Sequence, residues 1–336
     1  MKKLEYTVRF ITPAFLGNAE QSGQWRTPPF KALLRQWWRV AYAAEKQFKV
    51  NVPLMRKEEG LLFGHAWLED DRDNSGNKVA ARKSQVRIRL LNTQDNGEAW
   101  AIGTQQGVQP LHDGLDTSYA WFGLIKRGSG LPNRTGIKAG QTESVRQLHL
   151  AVPDEQEEQI REVMSLIHAF GLLGSRSRGG WGALHIEGKE PSVTRMSAVD
   201  MQPYTRSLAD CLQEDWAMSL ATDEKGLCVW ESKTEFDSWD KAMKFVATYR
   251  KQVRTALKQG KDLRPALGFA SPGRMASPLR WKIMAPQQGK LIVRTFALPH
   301  CIPDDGGKRL SPQDLQSAWK TVSSTLDSIS AMQRLK

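Results

Sequence analysis

Twice along this chain a stretch of alternating hydrophobicity gives way to one with helical spacing, and that switching restricts the available folds more than any other feature. Leu4, Tyr6, Val8 and Phe10 would line one face of a strand over residues 3–11, with Glu5, Thr7 and Arg9 on the other. TPAFLGNAEQSGQWRTPP then reads as a loop. Pro28 and Pro29 after Thr27 mark a helix entry, because a first-turn proline gives up no intrahelical hydrogen bond. Phe30, Leu33, Leu34, Trp37, Ala41, Ala44 and Phe48 fall on one helical stripe, while Lys31, Arg35 and Arg39 recur every four residues on another side.

SQVRIRLLN (84–92) predicts a strand, and SYAWFGLI and SVRQLHLAV predict two more. PDEQEEQIREVMSLIHAFGLL predicts the second helix. Asp154 and Glu157 make a capping-box-like start, with Ile160, Val163, Met164, Ile167 and Gly171 on one face. WGALHIEG follows as a short strand. Residues 92–118, polar and glycine-rich without periodicity, read as an insertion. Beyond the mixed region 191–224 come a strand (Gly226–Glu231), a helix (about 238–259), the strands SPLRWKIM and KLIVRTFAL, and a helix from Gln313 to Met332. The expected fold is α+β: two ferredoxin-like (RRM-like, split βαβ) domains with long loop insertions, at residues 1–190 and 200–336. No sequence repeat relates them.

Charge points to the partner. The formal net charge is +12, which favours a polyanion, nucleic acid ahead of a membrane surface. The charges are segregated. No acid occurs in 21–44, 78–91 or 263–303, where Arg26, Lys31, Arg35, Arg39, Lys83, Arg87, Arg89, Arg264, Arg274, Arg280, Lys282, Lys290 and Arg294 stand. Each run alone reads as a solvated basic face; together they suggest one extended positive surface. Three widely spaced cysteines without a CxxC indicate neither a disulfide framework nor a zinc site. With no signal peptide and no apolar run of membrane length, a reducing cytoplasm is the expected location, with no cofactor and no membrane partner.

GSRSRGGWG, from Gly174 to Gly182, is the segment richest in chemistry. Gly174 is placed to cap the preceding helix near Leu173 in a left-handed conformation. Gly179 and Gly180 would let backbone amides approach a phosphate, with Ser175 and Ser177 as hydroxyl donors and Arg176 and Arg178 as bidentate charged ones. Such a loop holds a backbone without reading bases. The alternative is a flexible helix-to-strand turn. The phosphate-binding pattern GxxxxGK[ST] and a strand-following GxGxxG are both missing.

Trp181, Trp38 beside Arg35 and Arg39, and Trp25 are candidate stacking platforms for single-stranded bases; core packing is the competing role. None of the six histidines pairs at metal-ligand spacing. His65 and His168 read as structural, with general acid–base cleavage of RNA as the minority alternative.

The set FITPAFLGNAEQ, RTPPFKALLRQWWR, EEGLLFG, KSQVRIRL and GSRSRGGWGAL resembles the RAMP superfamily of CRISPR-associated proteins, and within it the first subunits of type III-B (Cmr) effector complexes; MASPLRWKIM extends the likeness. The likeness covers residues 4–92 and 119–187, and more thinly 264–297. It implies a non-catalytic RNA-binding subunit of a ribonucleoprotein, set where the guide RNA's 3′ portion meets target single-stranded RNA, with other RAMP subunits as partners. It implies RNA contact by the loop 174–181 and by Arg26, Lys31, Arg35 and Arg39 of the first helix, which it would bring close together. Backbone subunits of such complexes cut with an aspartate. The loop after the first strand here has Glu20 and no Asp, a departure that favours binding. The competing readings are a metal-independent guide-processing endoribonuclease using His65 or His168, and a structural cap touching only proteins.

Overall fold

The computed structural model describes residues 1–66, 68, 71–91, 99–100, 118–121, 124, 134–140, 145–188, 195–270, 273–287, 289–302 and 310–336. The chain is mixed α and β, with its strands in several sheets. The first half contributes β1 (Lys2–Phe10), α1 (Thr27–Glu45), α2 (Val52–Phe63), β2 (Arg87–Leu91), β3 (Arg146–Val152), α3 (Glu157–Phe170) and β4 (Leu184–Gly188). Its sheet has the order β2-β3-β1-β4, antiparallel throughout, with Tyr6 opposite Leu148 and Val8 opposite Ile186. The alternation in β1 arises from this placement: Leu4, Tyr6, Val8 and Phe10 are buried under α1 and α3, which pack on each other.

A small sheet follows, β5 (Thr205–Ser207), β6 (Leu220–Asp223) and β7 (Gly226–Leu227). The second half then runs β8 (Val229–Ser232), α4 (Trp239–Ala256), β9 (Leu279–Gln287), β10 (Lys290–Ala297), α5 (Pro312–Ser328) and β11 (Met332–Arg334). Its sheet order, β9-β10-β8-β11, repeats that of the first half strand for strand. Among the described residues no helix is long and apolar enough to cross a membrane.

The two halves share a core. Trp37 of α1 stacks on Phe170 at 5.4 Å between centroids, and Phe170 meets Phe296 of β10 at 4.8 Å. Polar groups cross the same seam. Lys282 of β9 donates its Nζ to the carbonyl oxygens of Ile167 (3.1 Å) and His168 (2.6 Å). Arg294 of β10, fully buried, reaches the carbonyl of Ala169 and forks onto Glu231 Oε1 at 2.7 and 3.0 Å. The last-turn carbonyls of α3 are thus capped by cations more than a hundred residues away in sequence, Ile167 O accepting the Gly171 N–H as well.

Several expectations change. The described start of SYAWFGLI is helical, Ser118–Trp121 forming a single turn where a strand was expected, and the insertion at 92–118 lies almost wholly outside the described residues. α1 stops at Glu45, so Phe48 leaves the stripe with φ +61°. α2, which the sequence reading left unassigned, starts where the Asn51 side chain accepts the Leu54 N–H. Asp154 makes no capping box; it pairs with the terminal amine, and α3 begins at Glu157 after a short 3-10 turn. The last helix ends at Ser328, and Met332 lies in β11, opposite Ser232.

Candidate nucleic-acid interface

α3 ends at Phe170, earlier than the sequence suggests, and residues 171–173 run extended into the glycine-rich turn. Gly174 therefore caps no helix. Its φ of +92° turns the chain against the connector that follows β1, where a Cβ would meet the Phe15 carbonyl oxygen at 2.7 Å. Connector and loop are knitted together: Ser175 N–H donates to Phe15 O (3.0 Å), Gly182 N–H to Pro13 O (2.9 Å), and Thr12 Oγ1 to Gly180 O (2.7 Å). The same connector, residues 12–26, leads directly into α1, so loop and helix start share one support.

On this frame the loop exposes Arg176 and holds Arg178 half-buried. Arg176 is exposed and has φ +59°, a left-handed conformation that costs a non-glycine residue about 1–2 kcal/mol. Arg134 NH1 donates to Ser175 Oγ at 2.7 Å. Arg178, half-buried, donates to the Ser277 carbonyl at 3.1 Å, and its own carbonyl accepts from Trp281 N–H at 3.1 Å. Arg274, exposed, lies close enough that burial and its charge together lower the Arg178 pKa to about 10. Burial, then Arg274 and Arg134, lower that of Arg176. Arg250 of α4 packs on Gly179, where a Cβ would meet its NH1 at 2.5 Å, and covers the Tyr119 ring at 4.9 Å. Among the described residues, Arg178, Arg250 and Arg274 have no acidic partner. Arg134, Arg250 and Arg274 were absent from the sequence-level candidate set. Arg274 stood in the acid-free run 263–303, but only the tertiary fold brings it, with Arg134 and Arg250, to the loop.

Arg26 is exposed at the start of α1, and Lys31 is half-buried, its pKa lowered by burial and by Arg35. Arg35 and Arg39 both bind the buried carboxylate of Glu59 on α2: Arg35 Nε to Oε1 at 2.5 Å, Arg39 Nε to Oε2 at 2.7 Å and NH2 to Oε1 at 2.9 Å. The basic ridge is thus clamped. Lys83 is exposed beyond the end of α2.

Three aromatic candidates are core residues. Trp181 is fully buried, its Nε1 donating to the Ala120 carbonyl (3.0 Å) and its ring edge-on to Phe15 at 5.4 Å. Trp38 is buried with Nε1 on Gln159 Oε1 at 2.5 Å, and Trp25 stacks between Phe10 and Phe30. None offers a face to a base, because each fills space under the basic segment beside it. Gly179 and Gly180 are buried too, against the tip of Arg250 and the Met243 sulfur, and Gly180 takes a φ of +100° that favours glycine. The acid-free run 263–303 is not one surface either: Arg280, Lys282 and Arg294 are buried.

The histidines have local partners. His65 Nε2 contacts Asp71 Oδ2 at 2.7 Å, and Asp71 is held at about 2 chiefly by its Arg82 hydrogen bonds. His168 Nδ1 accepts the Ile186 N–H at 3.3 Å, and burial, Lys282 and His185 lower its pKa to about 3.

A sequence profile described as the RAMP superfamily matches residues 7–185. No curated protein matches the sequence. The crystal structure of Cmr1 from Pyrococcus furiosus, apo form, superposes with a TM-score of 0.55 at 16% identity, covering 96% of this chain and 97% of that one. A chain of the type III-B Cmr-beta cryo-EM structure bound to cognate target RNA aligns with a TM-score of 0.47 at 9% identity, over 96% of this chain and 100% of that one. At 16% identity the likeness to the Pyrococcus furiosus structure is one of fold.

Proposed function

The chain belongs to the RAMP superfamily, and from that premise we propose that it is a non-catalytic RNA-binding subunit of a type III-B CRISPR effector ribonucleoprotein. In this role it caps the end near the guide RNA's 3′ portion and helps capture target RNA for antiviral defence, alongside other RAMP subunits. Residues 1–190 and 200–336 act as two ferredoxin-like units; the β-α-β-β-α-β order and matching strand order of both halves support this. The type III-B assignment draws on the sequence motifs, and the end-to-end fold likeness to an apo Cmr1 agrees with it.

One observation carries the RNA-binding reading. Arg178 and Arg274 stand close together with no acid beside either among the described residues, and burial first, then the Arg274 charge, lower the Arg178 pKa to about 10. Clustered guanidinium groups repel one another, and a phosphodiester backbone converts that repulsion into binding. The site comprises Arg26, Lys31, Arg35, Arg39, Lys83 and the loop Gly174–Arg178, extended by Arg134 and Arg274. Trp38, Gly179, Gly180 and Trp181 support it from within. A binding rather than a cleaving role is supported by the closed hydrogen-bonded settings of His65 and His168.

The test is photo-crosslinking of the reconstituted particle to labelled guide and target RNA, followed by peptide mapping. Crosslinks on 174–178 and around Arg274 are expected. Their absence, with crosslinks on neighbouring subunits intact, would replace this reading with a cap that touches only protein.

A further inference from the structure

We propose that Glu59 is a positioning residue of the RNA interface, whose buried carboxylate aims Arg35 and Arg39 at successive phosphates. The inference rests on the RNA-binding reading of α1. Its starting point is a mismatch: one carboxylate, 2% exposed on its side chain, serves two guanidinium groups that are 35% and 43% exposed. Arg35 is held through Nε alone, and Arg39 through the Nε–NH2 edge. Among the described residues, NH1 and NH2 of Arg35 and NH1 of Arg39 have no partner. The anchored nitrogens face the protein, and the unused ones remain for an anion.

A residue that merely neutralised the ridge would be exposed and would sit between the arginines and solvent. Glu59 instead lies beneath them, on α2, and leaves a net positive charge at the surface. Two long side chains that are free in solution lose rotamer freedom on meeting RNA; fixing them beforehand removes part of that cost. The spacing also fits. Arg35 and Arg39 are one helical turn apart, about 5–6 Å along α1, close to the separation of neighbouring phosphates in a single strand.

Electrostatics and positioning predict opposite signs, which makes Glu59→Gln decisive. The variant is nearly isosteric and adds one unit of positive charge. If Glu59 only opposes the phosphates, single-stranded RNA binds more tightly. If it positions the arginines, affinity falls, on the order of tenfold, despite the added charge. The full-length protein is titrated with a fluorescent single-stranded RNA, comparing wild type, Glu59→Gln, the double variant Arg35→Ala/Arg39→Ala, and all three changes combined. The proposal expects Glu59→Gln to weaken binding and to add nothing once both arginines are gone. Equal or tighter binding by Glu59→Gln, with weaker binding by the double alanine variant, overturns the positioning role and leaves the RNA reading of α1 intact. Unchanged binding by the double alanine variant overturns both. Should Glu59→Gln fail to fold, Arg35→Lys/Arg39→Lys decides. Lysine keeps the charge but cannot be gripped at Nε while presenting further donors. Wild-type affinity in that variant overturns the proposal, and a loss supports it.

Discussion

Lys282 Nζ lies 2.6 Å from the carbonyl oxygen of His168, a fully buried ammonium closing the end of a helix in the other half of the chain. Burial, and then Arg294, push its pKa well below the lysine value. A methionine of similar length would leave the Ile167 and His168 carbonyls without this donor. Lys282→Met is therefore expected to cost about 1–3 kcal/mol, read as a lower denaturation midpoint. An unchanged midpoint would mean that the cap contributes nothing net.

Acid should loosen the same seam. Burial and neighbouring cations lower His168 to about 3 and His185 to about 4. His168 faces Lys282, His185 and Arg294, and His185 faces Arg9, Glu187 and Lys282. Both folded values lie below the unfolded imidazole value near 6.5. Stability is therefore complete above that pH and is lost as pH falls towards 4, by up to about 1.4 kcal/mol per pH unit for each histidine. Melting temperatures at pH 7 and pH 5 test this. His168→Gln, which keeps an acceptor for Ile186, should flatten the slope; a flat wild-type profile would contradict the prediction.

Gly182 is a severe case of backbone constraint. With φ +62°, a Cβ there would overlap the Leu173 carbonyl. Gly182→Ala is expected to cost more than about 3 kcal/mol. Gly226→Ala, also at positive φ but with nothing within 4 Å, should cost about 1–2 kcal/mol. Comparable losses at both sites, measured by chemical denaturation, would show that conformation rather than crowding sets the penalty.

RNA binding should report the guanidinium cluster through salt. Arg178→Ala and Arg274→Ala are each expected to reduce the slope of log affinity against log salt concentration by about 1, with little dependence on base sequence. A strong loss confined to one sequence would point to base reading instead.

The helices and central strands were legible because Leu33, Trp37, Ile160 and Val163 keep a period that only one packing satisfies. The end of α5 was not. Leu326, Ile329 and Met332 continue helical spacing past Ser328, and only pairing with β8 draws Met332 into a strand. Lys282 and Arg294 looked like surface charge because the carbonyls they satisfy belong to a distant helix. Trp38 and Trp181 stand beside arginines in sequence, and that adjacency is the same whether an indole faces a base or the core. The meeting of Arg134, Arg176 and Arg274 needed the fold, since no local pattern records it.

The crossing of Lys282 and Arg294 into the first half also governs how the chain can be divided. A break between residues 190 and 200 would take from α3 the donors that Lys282 and Arg294 supply and leave Lys282 without its carbonyl partners, while Arg294 keeps Glu231. Either fragment made alone should be poorly soluble, and the pair should recover order only when mixed. Despite its two repeated sheets, the protein should melt in one transition.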